Sequence, residues 1–151
     1  MEHLRTLLES ATTVEFIDWP HQDVPGSLIR AGYSVVGHEP DGYRTYVIDD
    51  REPDGRVFPL AGSGYLVSQL RDALPERVDI VNTFRPAEEQ ADIARGAIEI
   101  GAKALWIQPG ESVSADARDI AESAGLGYVE GVDIAEAVRT LGISKSASES
   151  R

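Results

Sequence analysis

The chain has 151 residues, 42% hydrophobic and 26% charged, with a formal net charge of −12 and no cysteine. That length is about one domain with a proper core, and the lack of cysteine excludes disulfides, thiolate catalysis and cysteine-ligated zinc. The acidic balance speaks against nucleic acid or an anionic membrane as partner, because both need clustered Lys and Arg.

No apolar run approaches the ~18 residues of a membrane span. Met1-Glu2-His3-Leu4-Arg5 lacks the basic start and apolar centre of a signal peptide, so a cytoplasmic location is expected. Residues 1–12 are expected to be a leader with a short helix over Leu4 to Ser10, residues 13–143 the domain, and residues 144–151 a disordered polar tail.

Thr13 to Ile17 predicts a first strand, stopped at Asp18-Trp19-Pro20. Asp23 as N-cap and Pro25 just after it open a helix that buries Leu28, Ile29 and Ala31 and ends at Gly32. Tyr33 to Gly37 is the second strand. Short β excursions are expected around Tyr46 to Ile48 and Val57 to Leu60, with Gly62-Ser63-Gly64 as a turn. Leu66, Leu70 and Leu74, spaced i, i+4, predict a helix over Tyr65 to Leu74.

Val78 to Phe84 is the third core strand. Ala87 to Ile100 is a helix with Ala91, Ala94, Ala97 and Ile98 on its inner side. Ala104 to Ile107 is a fully apolar strand of the kind buried on both faces. Ser114 to Ala124 is a helix turning Ala117, Ile120, Ala121 and Ala124 inward. Gly127 to Glu130 is the last strand and Ile134 to Leu141 the last helix.

Strands alternating with helices in this way predict an α/β fold: a Rossmann-like three-layer α/β/α domain with a mainly parallel five-stranded sheet. Ligands of such sheets sit beyond the carboxyl ends of the strands. The rule selects Asp18, Trp19, Pro20 and His21, then His38, Glu39 and Pro40, then Phe84 and Arg85, and finally Gln108 and Gly110. Trp19 and His21 can stack on adenine, and Asp18 can accept from a ribose hydroxyl. Arg85 can fork onto a phosphate, or pair with Glu88 and Glu89 in the next turn. No residue set is poised for chemistry, and His3, His21 and His38 lack metal-ligand spacing. Homodimers are the commonest assembly, so a homodimer stays open.

Val78-Asp79-Ile80-Val81-Asn82-Thr83-Phe84-Arg85-Pro86, followed by Gly101-Ala102-Lys103-Ala104-Leu105-Trp106-Ile107-Gln108-Pro109-Gly110, resembles the small CoA-binding domain proteins of Rossmann type. The resemblance runs from about Thr13 to Ile134. It implies a non-catalytic binder of CoA or an acyl-CoA, acting as carrier, sensor or regulatory module. Two features depart from that family. Its glycine-rich first turn is replaced by the segment from Ile17 to Gly26, several residues shorter and without G-x-G, and Glu130-Gly131-Val132-Asp133 stands where the family has an Arg-Cys segment. Two alternatives therefore stay open: a nucleotide-binding module with another ligand, and an interaction protein that has lost the pocket.

Overall fold

The computed structural model describes residues 2–39, 42–51, 57–62, 64–71 and 73–145. Helix α1 (Glu2–Ser10) leads into strand β1 (Thr13–Ile17), helix α2 (Asp23–Arg30) and strand β2 (Ser34–Glu39). Strands β3 (Gly42–Asp49), β4 (Val57–Pro59) and β5 (Tyr65–Arg71) follow, with no helix between them among the described residues. The chain then alternates through β6 (Ile80–Thr83), α3 (Ala87–Glu99), β7 (Ala104–Ile107), α4 (Ala115–Ser123), β8 (Gly127–Glu130) and α5 (Ile134–Thr140).

Among these residues eight strands form one sheet, in the order β4-β5-β3-β2-β1-β6-β7-β8. β2, β1, β6, β7 and β8 are parallel, as βα alternation requires. The expected five-stranded sheet is too small, because β3, β5 and β4 extend it antiparallel beyond β2. The helix predicted over Tyr65 to Leu74 is β5, paired with β3 from Asp49↔Tyr65 to Tyr43↔Arg71. Gly62 and Gly64, both at positive φ, shape the turn from β4 into β5, where the Leu60 amide donates to the Gly64 carbonyl at 3.1 Å.

Two cores flank the sheet. Val14, Phe16, Ile80 and Trp106 pack against α1, α2 and α5, and Val81, Leu105 and Ile107 against α3 and α4. In α3 the buried positions are Gln90, Ala94 and Ala97, while Ile98 is exposed, contrary to its expected place inside. Ala124, also expected inside, is the exposed C-cap of α4. Asp23 is not the N-cap of α2. Gln22 holds that position without a side-chain cap, and Asp23 Oδ1 instead accepts the Ala61 amide at 3.0 Å, tying α2 to the β4–β5 turn. Residues 146–151 of the expected tail lie outside the described residues; before them, the Lys145 amide donates to the Ala31 carbonyl at 2.6 Å.

Asp79, 1% exposed, anchors the entry to β1. Its Oδ2 accepts the Thr12 amide at 2.8 Å, the Thr12 hydroxyl at 2.9 Å and the Thr13 amide at 3.1 Å, and its Oδ1 accepts Arg77 Nε at 3.0 Å. Burial by itself would raise its pKa, but these hydrogen bonds together hold it below the usual carboxylate value. The lowered value makes the ionised form stabilising: the contribution is complete above about pH 4 and lost as pH falls through the folded pKa. Asp79→Ala is expected to cost about 3 kcal/mol at neutral pH, because it strips two backbone amides of a charged acceptor. Urea denaturation at neutral and acid pH checks this; a loss that does not shrink in acid contradicts it.

Candidate functional site

The carboxyl ends of β1, β2 and β6 open into a cleft of about 590 Å³, lined by Ile17, Asp18, Trp19, Gln22, His38, Glu39, Phe58, Arg85 and Glu89. β1 has β2 on one side and β6 on the other, with α2 and α3 on opposite faces, so the cleft sits where the strand order reverses. A second hollow of about 550 Å³, lined by Glu9, Thr12, Ser34 and residues 142–145, is at the opposite edge of the sheet, away from this reversal.

The floor of the cleft is aromatic. Trp19 is half-buried and meets Phe16 edge-on at 6.0 Å and Tyr46 edge-on at 5.3 Å between ring centroids. Gly37 of β2 makes room for both rings, since a Cβ there would stand 2.6 Å from Tyr46 and 3.2 Å from Trp19. The Tyr46 hydroxyl donates to Glu39, and Arg44 Nε lies 3.8 Å from the same carboxylate. Glu39 is thereby held at the end of β2.

The rim is charged but largely self-paired. Asp18 turns out of β1 at φ 65°, a left-handed conformation in which Asp is tolerated, and its Oδ1 accepts the Trp19 amide at 2.9 Å. Arg85 Nη1 donates to Asp18 at 3.0 Å, while its Nε and Nη2 fork onto Glu89 at 3.0 and 2.8 Å. Those bonds, Glu89 first and Asp18 second, push the guanidinium pKa further up and hold Glu89 below the usual carboxylate range. Arg85 thus bridges the mouth from β6 to β1, and its charge is met by two carboxylates.

Asp18, Trp19, His38, Glu39 and Arg85 of the predicted set come together in the cleft. Pro20 and His21 are exposed outside its lining; His21 Nδ1 is 3.9 Å from Asp23. Pro40 lies outside the described residues. Phe84 packs under Gly110, where a Cβ would come within 2.8 Å of its ring, and neither lines the cleft. Gln108 is buried and used internally: its Oε1 accepts Asn82 Nδ2 and the Ile134 amide, both at 3.2 Å, and its Nε2 donates to Asp133 at 3.0 Å. Asp133 in turn caps α5. Among the described residues no three His, Asp or Glu stand together as a metal site, and no helix is long and apolar enough to cross a membrane.

Local reasoning missed Gln22 and Phe58 as lining residues. Phe58 arrives from β4, about forty residues downstream of Trp19, and no local pattern links the two. It missed Gln90 as well. That side chain donates to the Arg85 carbonyl at 3.0 Å and the Ser112 carbonyl at 2.7 Å, and accepts the Ser114 amide at 3.0 Å, so it holds the β6–α3 and β7–α4 turns together.

A central parallel sheet with helices on both faces and a cleft at the strand-order reversal defines a Rossmann-like α/β domain. The family model of the CoA binding domain matches residues 30–132, about two thirds of the chain, and the chain belongs to that family. The match begins after β1 and most of α2, so it leaves out the turn at Asp18-Trp19-Pro20. Solved structures share the fold. Prb, a PH1109 protein redesigned for binding, aligns with a TM-score of 0.67 at 20% identity over 96% of this chain and 94% of its own. The cell-free ID.343 protein of Thermus thermophilus gives 0.64 at 23% identity over 93% and 97%. A hypothetical protein from Pyrococcus horikoshii OT3 gives 0.63 at 17% identity over 93% and 90%.

Proposed function

We propose that this chain is a non-catalytic binding module for CoA or an acyl-CoA, a carrier, sensor or regulatory unit that takes the nucleotide end of its ligand in the rim cleft. The carrying observation is that the cleft stays open at the strand-order reversal of a chain belonging to a CoA binding domain family. Trp19 offers a stacking face for adenine. The Gln22 side chain at the start of α2 makes no capping bond and lines the cleft, where its amide can donate to a phosphate. Arg85 binds phosphate by exchanging one of its two carboxylate partners for it.

One observation favours a second reading. Asp18, Glu39 and Glu89 all line the cleft, and carboxylates there suit ribose hydroxyls better than a polyanionic nucleotide such as CoA. NAD or AMP would fit that arrangement.

Mass spectrometry of the natively purified protein, with a thermal-shift panel of CoA, acetyl-CoA, NAD, AMP and ATP, tests both. CoA at a hundred times its Kd is expected to add about 2.7 kcal/mol to stability. Trp19→Ala should then weaken CoA by about tenfold or more, as loss of a stacking platform does. Shifts with NAD or AMP but not CoA transfer the site to the second reading. No shift with any of the five means that the chain has lost the pocket's function.

A further inference from the structure

A helix crossing over β2 on the α3 side would complete the usual double winding, but β2 turns back into β3, and among the described residues β5 reaches β6 without a helix. The uncovered space beside α3 holds a cavity of about 290 Å³. Leu74, Val81, Ile93 and Ile100 give it hydrocarbon walls. Glu15 lies in its floor, at the middle of β1 between Val36 and Val81.

The Glu15 side chain is 5% exposed, and no described residue donates a hydrogen bond to its carboxylate. The nearest basic nitrogen, His38 Nδ1, stands 3.8 Å away on a half-exposed ring. Burial penalises the charged form of a carboxylate without a donor, and its oxygens keep access to the cavity, where a donor can meet them. The other ionisable wall groups are Tyr43, Asp92 and Glu99; among the described residues no Lys or Arg lines the cavity, and Asp92 is paired with Arg95 at 2.7 Å. The complementary occupant is cationic and partly apolar. Its volume is at the small end of ligand pockets.

We propose that this cavity is a second ligand site, for a primary amine on a small hydrocarbon body, with the ammonium group on the Glu15 carboxylate and the body against Leu74, Ile93 and Ile100. An anionic nucleotide is repelled here. The cavity shares only Ile17 and His38 with the rim cleft, so the proposal stands apart from the CoA reading.

The test is calorimetry and amide chemical shifts of the full chain with benzylamine, and with benzyl alcohol and benzoate as neutral and anionic matches, at about pH 8, where Glu15 is ionised. Benzylamine is expected to bind at least ~10-fold tighter than either match, as a charge-assisted hydrogen bond implies. The shifts should centre on Glu15, Tyr43 and Ile93. Glu15→Gln should erase the preference. Gly96→Leu offers a second check, because Gly96 lines the cavity, a Cβ there meets nothing within 4 Å, and leucine suits a helix interior. It should abolish binding while the urea midpoint is kept or raised. Equal affinity for amine and alcohol, a preference that survives Glu15→Gln, or binding unaffected by Gly96→Leu overturns the site. A failure to bind CoA alters none of these outcomes.

Discussion

Trp106→Ala is expected to remove about 3–5 kcal/mol of folding free energy, the usual loss when a buried tryptophan leaves a cavity. Trp106 is fully buried at the middle of β7, inside the core shared by α1, α2 and α5. Its indole Nε1 donates to the Val132 carbonyl at 2.7 Å, just before Asp133, the N-cap of α5. The alanine variant therefore loses packing and also leaves a partly buried carbonyl without its donor. Against the ~5–15 kcal/mol of a typical domain, that is a large share. Trp106→Phe keeps most of the volume and loses the hydrogen bond, so it should cost clearly less. Urea unfolding followed by circular dichroism separates the two. An alanine loss below about 1 kcal/mol would contradict the packing described for β7.

The second large effect concerns pH. Burial pushes the Glu15 carboxyl up to about 7 from its ordinary 4.5. His38 faces it from β2, Tyr43 from β3, and Asp92 and Glu99 share its cavity from α3. A raised folded pKa means that the folded state prefers the proton. The contribution is complete below about pH 4.5 and lost as pH rises through about 7. The loss is on the order of 3 kcal/mol. Glu15→Gln, which cannot ionise, should match the natural chain in mild acid and exceed its stability at about pH 8 by an amount of that order. Denaturation midpoints of both proteins from about pH 5 to 8 measure it. Parallel pH profiles for the two would show that Glu15 carries no such penalty.

Several elements were readable because local pattern and tertiary role agree. Ala104 to Ile107 is apolar at every position and is buried at every position, as a central parallel strand must be. Gly127 to Glu130 also lies where its pattern predicts. The misreading at Tyr65 to Leu74 has a physical cause. A spacing of four fits one helical turn, but it is also twice the strand period, so Leu66 and Leu70 share a face either way. Pairing with β3 decides for the strand. Leu66 is then buried in the core with Phe16 and Leu28, and Leu70 is left 61% exposed at the strand's far end.

By itself the sequence determined the βα alternation, the burial of the central strands and the edge of the sheet where Asp18, His38, Glu39 and Arg85 gather, because residue periodicity and helix boundaries are local properties. The tertiary structure alone decided which of those side chains remain available. It pairs Arg85 with Asp18 and Glu89, commits Gln108 to Asn82 and Asp133, brings Phe58 to Trp19, and leaves Glu15 without a donor among the described residues. The reason is that a polar group's availability depends on what stands within about 3 Å of it, and those neighbours come from strands and turns distant in the chain.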